Sequence, residues 1–120
     1  MPFKALLKEL VISVDGANGA IILDSDGEAV QWWGRDKVER LQLRAAYVAV
    51  MIQTCRATTS SLELGNIFYM VIEYDGARFL VEELENDYFI ILELDASANI
   101  GQAIHRMEPA VANLRREIAA

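Results

Sequence analysis

Hydrophobic residues at the start of this chain recur first with the period of a helix and then as in buried strands. From residue 3 to residue 14 they return every three or four positions, which predicts a short amphipathic helix. Residues 15–19 contain two glycines and are expected to end it. Ala20-Ile21-Ile22-Leu23 is a continuous apolar run, typical of a strand covered on both faces. Residues 28–33 form a second strand after the turn Asp24-Ser25-Asp26-Gly27.

A second helix is predicted from Asp36 to Arg56, and its run Ala45–Ile52 is apolar throughout. A helix that is apolar on every side must be covered on every side, and eight residues are too few to span a bilayer. Since a 120-residue chain has little left to cover a second side, we expect another copy of this helix to do so. Helical spacing separates an inner stripe (Val38, Leu41, Ala45, Val48, Ile52, Cys55) from an outer stripe (Leu43, Tyr47, Val50, Met51).

Three strands and a helix complete the predicted order of elements. Residues 57–65 are expected to form a loop, and residues 66–74, 77–83 and 88–94 to form strands, the first two joined by the hairpin turn Asp75-Gly76. Residues 97–119 carry a helical apolar stripe, with Pro109 predicting a kink or interruption near Arg106. The whole chain, residues 1–120, is expected to be a single domain of order helix-β-β-helix-β-β-β-helix.

Composition narrows the classes of partner. The net charge of −7 argues against nucleic acid and anionic membrane surfaces. Hydrophobic content of 53% fits a small subunit with an obligate interface. A single cysteine, Cys55, excludes an internal disulfide and a multi-cysteine metal site. Without a signal-peptide core or a long apolar run, we expect a cytoplasmic protein that does not insert into membranes.

Candidate catalytic, metal and cofactor sites all have simpler explanations. Asp24 could begin a calcium loop, but its twelfth position is Arg35 instead of glutamate. His105 is the only histidine and has no partnering nucleophile or acid in a recognisable context. The acids of residues 82–87 could bind a cation or form a solvated hairpin end, which is the ordinary interpretation. We therefore expect no catalytic residue, no metal and no cofactor.

Two features remain candidates for contact with a partner protein. Trp32 and Trp33 are neighbours on a strand and point to opposite faces, so one indole can contact a partner or pack beneath a terminal helix. Lys37, Arg40 and Arg44 lie on one flank of the second helix. This basic flank could meet an acidic partner, neutralise acids across a dimer or be solvated.

Three local motifs resemble the Roadblock family of dynein-light-chain-like proteins. Gly19-Ala20-Ile21-Ile22-Leu23-Asp24-Ser25-Asp26-Gly27 is similar to that family's first hairpin, and Glu73-Tyr74-Asp75-Gly76 to its third-to-fourth strand turn. The segment from Leu94 to Gly101 resembles its entry into the last helix. The resemblance covers essentially the whole chain in the right order.

The resemblance implies an α/β (α+β) sandwich and a mode of dimerisation. A five-stranded antiparallel sheet would carry the second helix on one face and the terminal helices on the other. Second helices would pack antiparallel and third strands would pair edge to edge. The implied dimer interface comprises Leu43, Tyr47, Val50, Met51, Thr54, Ile67, Tyr69 and Val71.

Family members commonly act as dimeric scaffolds or regulators of small Ras-like GTPases, in some cases with a GTPase-activating role. We therefore expect a homodimer, not an enzyme, whose GTPase-binding surface includes Lys37, Arg40, Arg44 and Trp32. The alternatives are a motor-complex adaptor and a small-molecule sensor. A sensor would need a cavity between sheet and helix, and dense packing around Ile22, Val48, Ile52 and Ile90 would count against it.

Overall fold

The computed structural model of the protein describes residues 3–35 and 38–119. Its five strands form one antiparallel sheet in the order β2-β1-β5-β4-β3, so β2 and β3 are the two edges. A short 3-10 turn, Glu85–Asp87, joins β4 to β5. The elements are α1 (Phe3–Ser13), β1 (Ala17–Leu23), β2 (Ala29–Gly34), α2 (Val38–Ser61), β3 (Tyr69–Glu73), β4 (Arg78–Glu83), β5 (Phe89–Leu94) and α3 (Ile100–Ala119).

The sheet separates two hydrophobic cores, as the predicted sandwich requires. Alternate residues of β5 serve opposite faces: Ile90 and Leu92 pack with α1 and α3, whereas Phe89 and Ile91 pack with α2. Every residue of this central strand is buried, which explains its nearly unbroken apolar sequence. The predicted element order, five-stranded sheet and placement of helices are confirmed.

The first strand begins earlier than the glycines suggested. β1 starts at Ala17, not at residue 20, and Gly19 pairs with Gly34 on one side and with Glu93 on the other. A Cβ added at Gly19 would lie 2.9 Å from Leu41 Cδ2 and 3.3 Å from the Trp33 carbonyl oxygen, so the Leu41 side chain would have to shift to admit one. The glycine is therefore a packing residue of the sheet.

The second helix ends later than predicted, at Ser61 instead of Arg56. Hydroxyl-bearing residues made this segment look like a loop. In the structure the hydroxyls of Thr54, Thr58 and Ser61 each donate to the backbone carbonyl four residues earlier, at 3.0 Å. The following strand is correspondingly shorter, because β3 begins at Tyr69 and not at residue 66.

The last helix also differs from its predicted form. It begins at Ile100, where the Asn99 side chain accepts a hydrogen bond from the Gln102 amide at 2.9 Å and caps the helix. Of the kink or interruption expected near Arg106, the interruption does not occur, since the helix continues through Pro109 to Ala119. Pro109 is exposed, so water can satisfy the carbonyl that its missing N–H leaves unpaired.

The turn of the first hairpin explains the motif that precedes it. One Asp24 carboxylate oxygen accepts hydrogen bonds from the Asp26 and Glu28 amides, both at 2.9 Å. Gly27 has a φ of +83°, and a Cβ there would lie 3.2 Å from Ala49 of α2. Aspartate and glycine are thus required by the turn, which uses the carboxylate that a calcium loop would need.

Among the described residues, no helix is both long enough and apolar enough to cross a membrane.

Candidate functional site

The outward side of α2 carries large apolar side chains that the chain itself leaves uncovered. Leu43 is 60% exposed, Tyr47 65% and Val50 62%, whereas Ala45, Val48 and Ile52 on the inward side are at most 1% exposed. We call this outward side, from Leu43 to Ser61, the α2 outer stripe, and Leu43, Tyr47 and Val50 are its bulky half; Met51, assigned to the outer stripe from the sequence, lies beside it and is half-buried. Soluble chains seldom align such residues on one helix face without a partner.

Small side chains continue the α2 outer stripe toward the C-terminal end of the helix. Thr54, Ala57, Thr58 and Ser61 are all exposed and fall at the same helical spacing. Their hydroxyls are already hydrogen-bonded within the helix, as described above. This half of the stripe therefore offers mainly carbon surface in a shallow profile, opposite in shape to the bulky first half.

An apolar groove lies beside the bulky half of the stripe. It has a volume of about 490 Å³ and separates α2 from the turn between β3 and β4. Met51, half-buried, forms part of its helical wall, and Tyr74 and Phe79 form the opposite wall, where their rings meet edge to face at 5.9 Å. The sequence had indicated Met51 for this surface but not Tyr74 or Phe79.

The edge strand β3 is apolar on both faces. Met70 and Ile72 pack partly against the core beneath α2, while Tyr69 and Val71 are exposed on the opposite face. Ile67 is half-buried and precedes the strand. Phe68, which the sequence had not indicated, is 82% exposed. The unbroken apolar run that contains Phe68 could have indicated it. Such a run suits a central strand, and on an edge strand it leaves apolar side chains uncovered.

The basic flank of α2 faces acids of the same chain. The Arg44 guanidinium lies 2.6 Å from a carboxylate oxygen of Glu93, the one charged residue buried among those described. Arg40 and Arg44 line a polar cleft of about 650 Å³ together with Asn18 and Asp95. Asn18 donates to Asp95 at 2.8 Å. Lys37, predicted for the same flank, lies outside the described residues.

The tryptophan pair points to opposite faces of β2, as predicted. Trp32 packs against the core beneath α2, and Trp33 against the core beneath α1 and α3. Lys8 Nζ lies 6.0 Å from the centre of the Trp33 ring. Both indoles are half-buried, so each keeps a solvent-facing part on the edge strand.

Two arginines that the sequence pattern did not indicate contact the end of β4 and the turn that follows it. Arg56 of α2 lies 2.6 Å from the Asp87 carboxylate and 4.8 Å from the Phe89 ring, and Arg115 of α3 donates to the Glu83 carbonyl at 2.7 Å. Burial raises the pKa of Glu82; Arg115 opposes this shift and Glu108 adds to it. Within the described residues no cluster of potential metal ligands occurs here or elsewhere.

The other chemical candidates stay isolated in the structure. His105 is exposed on α3, in a shallow groove beside α1. Beneath α2, Val48 and Ile52 are at most 1% exposed, as are Ile22 and Ile90 on the other face of the sheet. The space beside Ile52 and Phe89 is about 10 Å³, room for at most one water molecule. This packing counts against a ligand enclosed beneath α2 at Ile52, while the apolar groove of about 490 Å³ that Val48 also lines is open to solvent.

Comparison with protein families identifies the chain. The family model described as "Mitogen-activated protein kinase kinase 1 interacting" matches residues 1–119. The chain belongs to this family. A comparison with curated protein sequences gives no significant match.

Solved structures show which fold this member of the family has. The chain is similar to the Roadblock/LC7 domain from Streptomyces avermitilis, with 19% identity and a TM-score of 0.87 over 98% of both chains. It is also similar to MglB from Myxococcus xanthus, with 12% identity and a TM-score of 0.88 over 99% of this chain and 96% of that one. With MglC from Myxococcus xanthus it shares 24% identity, with a TM-score of 0.70 over 98% of this chain and 99% of that one. The Roadblock resemblance is confirmed, and the fold is Roadblock/LC7.

Proposed function

We propose that this chain is a homodimeric, non-enzymatic regulator or scaffold that binds a small Ras-like GTPase, with residues 1–120 acting as a single domain. The α2 outer stripe is the observation that carries the proposal. Three large apolar side chains more than half exposed on one helix face need a protein cover. The description of the matching family, which refers to interaction with another protein, supports the same conclusion. The resemblance to the Roadblock family, whose members commonly act as scaffolds or regulators of small GTPases, supports it as well.

The shape of the stripe favours antiparallel packing of two α2 helices about a two-fold axis. The bulky half, Leu43 to Val50, and the small half, Thr54 to Ser61, would then face each other. An axis passing between Val50 and Thr54 brings Tyr47 of one copy against Ala57 of the other. Burying a side chain such as Val50 contributes roughly 1.5–3 kcal/mol, so a few residues from each copy suffice for a stable dimer.

The sheet edge supports the same arrangement. With β3 unpaired on its outer side and apolar on both faces, pairing of two β3 strands would continue the sheet from one copy to the other. Tyr69 and Val71 would be covered at the same time, and Ile67 would lie at the margin of the interface, whereas Thr54 would lie near the axis, opposite Val50 of the other copy.

Charge substitution in the stripe tests the dimer. The double change Val50→Asp, Met51→Asp is expected to reduce the mass measured by light scattering from two chains to one, because four carboxylates would be buried at the seam. Gln42→Asp, Gln53→Asp adds the same charge to the flank of α2 away from Met51 and should leave the dimer intact. A dimer that survives the first double change would mean that this seam is wrong.

The GTPase-binding surface is proposed to include Arg40, Arg44 and Trp32, together with Lys37. Arg44 already pairs with Glu93, so a partner would meet the edge of the polar cleft and not an isolated positive charge. The test is direct binding of the purified dimer to small Ras-like GTPases from the same genome, each loaded with GDP or a GTP analogue. If none binds in either state, the dimer serves another partner.

A further inference from the structure

The sheet has two edges, and the structure treats them differently. Both β2 and β3 are edge strands in the order β2-β1-β5-β4-β3. An edge strand presents backbone N–H and C=O groups that can pair with a strand of another molecule. A chain with two equally open edges would associate at both and form extended assemblies instead of a closed dimer.

The outward backbone groups of β2 follow from its pairing. Successive residues of an antiparallel strand direct their backbone groups alternately toward and away from the neighbouring strand. The Arg35 amide donates to the Asn18 carbonyl of β1 at 2.9 Å, so Trp33 and Gln31, two and four residues earlier, also face β1. Trp32 lies between them, and its amide points outward from the sheet.

That outward amide is occupied by the chain itself. The Trp32 N–H donates to the side-chain carbonyl of the preceding residue, Gln31, at 3.1 Å. The Gln31 side chain therefore folds along the free side of β2, where an added strand would place its own carbonyl. Gly34 is the next residue that this alternation directs outward, whereas a register shift between Ile22 and Leu23 of β1 interrupts the alternation beyond Gln31 on the other side.

The β3 edge has no equivalent cap among the described residues. The Tyr74 amide donates to the Ala77 carbonyl at 2.8 Å, so the same alternation directs the amides of Tyr69, Val71 and Glu73 outward. No described side chain accepts a hydrogen bond from any of these three amides. Glu73 instead pairs with Arg78 of β4, at 3.0 Å.

We propose that Gln31 determines which edge of the sheet is used for association. By occupying the Trp32 amide it closes β2 to strand addition by another copy of this chain and leaves β3 as the pairing edge. This inference rests on the proposed dimer for its biological meaning. The half-buried indoles of Trp32 and Trp33 make the cap necessary, because they would give an added strand apolar contact on both faces.

Substitution of the cap tests the proposal. Gln31→Met keeps the length of the side chain and removes the carbonyl acceptor. At concentrations where the wild type is a dimer, this variant is expected to form particles of four or more chains by light scattering. Gln102→Met, the same change at an exposed position of α3, should leave the mass unchanged. Equal masses for Gln31→Met and the wild type across a dilution series would overturn the proposal.

Amide hydrogen exchange supplies an independent readout of the cap. In dilute samples of equal mass, the Trp32 amide of Gln31→Met should exchange about fivefold faster than that of the wild type, as expected for losing one exposed hydrogen bond. Gln31→Glu retains an acceptor and should exchange like the wild type. An unchanged Trp32 rate in Gln31→Met would show that no cap exists.

Failure of the cap can be told apart from failure of the dimer seam. In the Val50→Asp, Met51→Asp background, Gln31→Met is expected to convert single chains into pairs joined through β2. If the wild type proves monomeric, the proposed seam fails, and the Gln31 proposal is still decided by this conversion and by the Trp32 exchange rate.

Discussion

At the residue scale, charged side chains of this protein largely hold its own elements together. Arg44 neutralises Glu93 beneath α2, and Arg56 and Arg115 approach the β4–β5 turn from opposite faces of the sheet. A carboxylate buried without such a partner would cost several kcal/mol. Residues that looked like a basic docking flank and an acidic hairpin end are therefore partly structural, and a partner can use only what this pairing leaves exposed.

Glu82 gives the residue scale a pH-dependent prediction. Burial raises its pKa in the folded state above the ordinary value of 4.5, so its ionised form is penalised by folding. The contribution of this carboxyl to stability is most favourable below pH 4.5 and is lost as the pH rises through the folded-state value. Glu82→Gln should therefore raise the melting temperature at neutral pH and leave it nearly unchanged well below pH 4.5.

The control for this change is Glu85→Gln, which removes the same charge from an exposed position in the adjacent turn. It should shift the melting temperature little at either pH. Equal effects of the two substitutions at neutral pH would mean that net charge, and not burial of Glu82, governs the difference.

At the element scale, α2 ends in a Schellman motif that lacks its usual glycine. The Leu64 amide donates to the Thr59 carbonyl at 3.1 Å and the Glu63 amide to the Ser60 carbonyl at 3.2 Å. Glu63 itself has a φ of +56°, the left-handed conformation that glycine adopts without a Cβ penalty. These hydrogen bonds and the left-handed Glu63 end the helix, and no residue pattern before Ser61 predicts that end.

Glu63→Gly should consequently stabilise the fold. Relief of the left-handed strain is expected to raise the free energy of unfolding by about 0.5–1 kcal/mol, measured by urea denaturation at fixed protein concentration. Ser60→Gly, in the last turn of the same helix, has no such strain to relieve and should lower it by a similar amount. A loss of stability in Glu63→Gly would indicate that the Glu63 side chain makes a contribution larger than the strain.

At the scale of the whole molecule, one helix face and two sheet edges are the features from which the proposed assembly follows. The face is bulky at one end and small at the other, and the two edges differ in whether a side chain occupies the outward amide. In the proposed dimer, a two-fold axis through the middle of the stripe would place the bulky half of each helix against the small half of the other. If β2 is capped as proposed, the difference between the edges would let association stop at two copies.

Cysteine cross-linking tests the antiparallel arrangement. In a Cys55→Ala background, differently tagged Tyr47→Cys and Ala57→Cys chains should form a disulfide with each other on mild oxidation. Tyr47→Cys alone should not, since an axis between Val50 and Thr54 separates the two copies of residue 47 by roughly 15 Å along the helices. Self-linking of Tyr47→Cys without the mixed product would indicate a parallel or shifted pairing.

Much of this architecture could be predicted from local patterns. Helical spacing divided α2 into inner and outer stripes because a helix repeats every 3.6 residues, and Asp75-Gly76 predicted the β3–β4 hairpin because that pair suits a tight turn. The excess of apolar surface over what one small chain can cover likewise follows from the sequence. The Roadblock motifs of Asp24 and Gly27 then correspond to identifiable hydrogen bonds and a positive φ.

The tertiary structure decided what distant residues do for one another. Sequence spacing carries no information that Arg44 meets Glu93, that Arg56 meets Asp87, or that Gly19 must leave room for Leu41, because each pair is brought together only by packing α2 on the sheet. The order of strands assigned β2 and β3 to the edges, and only then could the Gln31 side chain acquire a role. Local periodicity thus determined the elements and the unpartnered helix face, while long-range packing determined which charges are already satisfied and which edge is open.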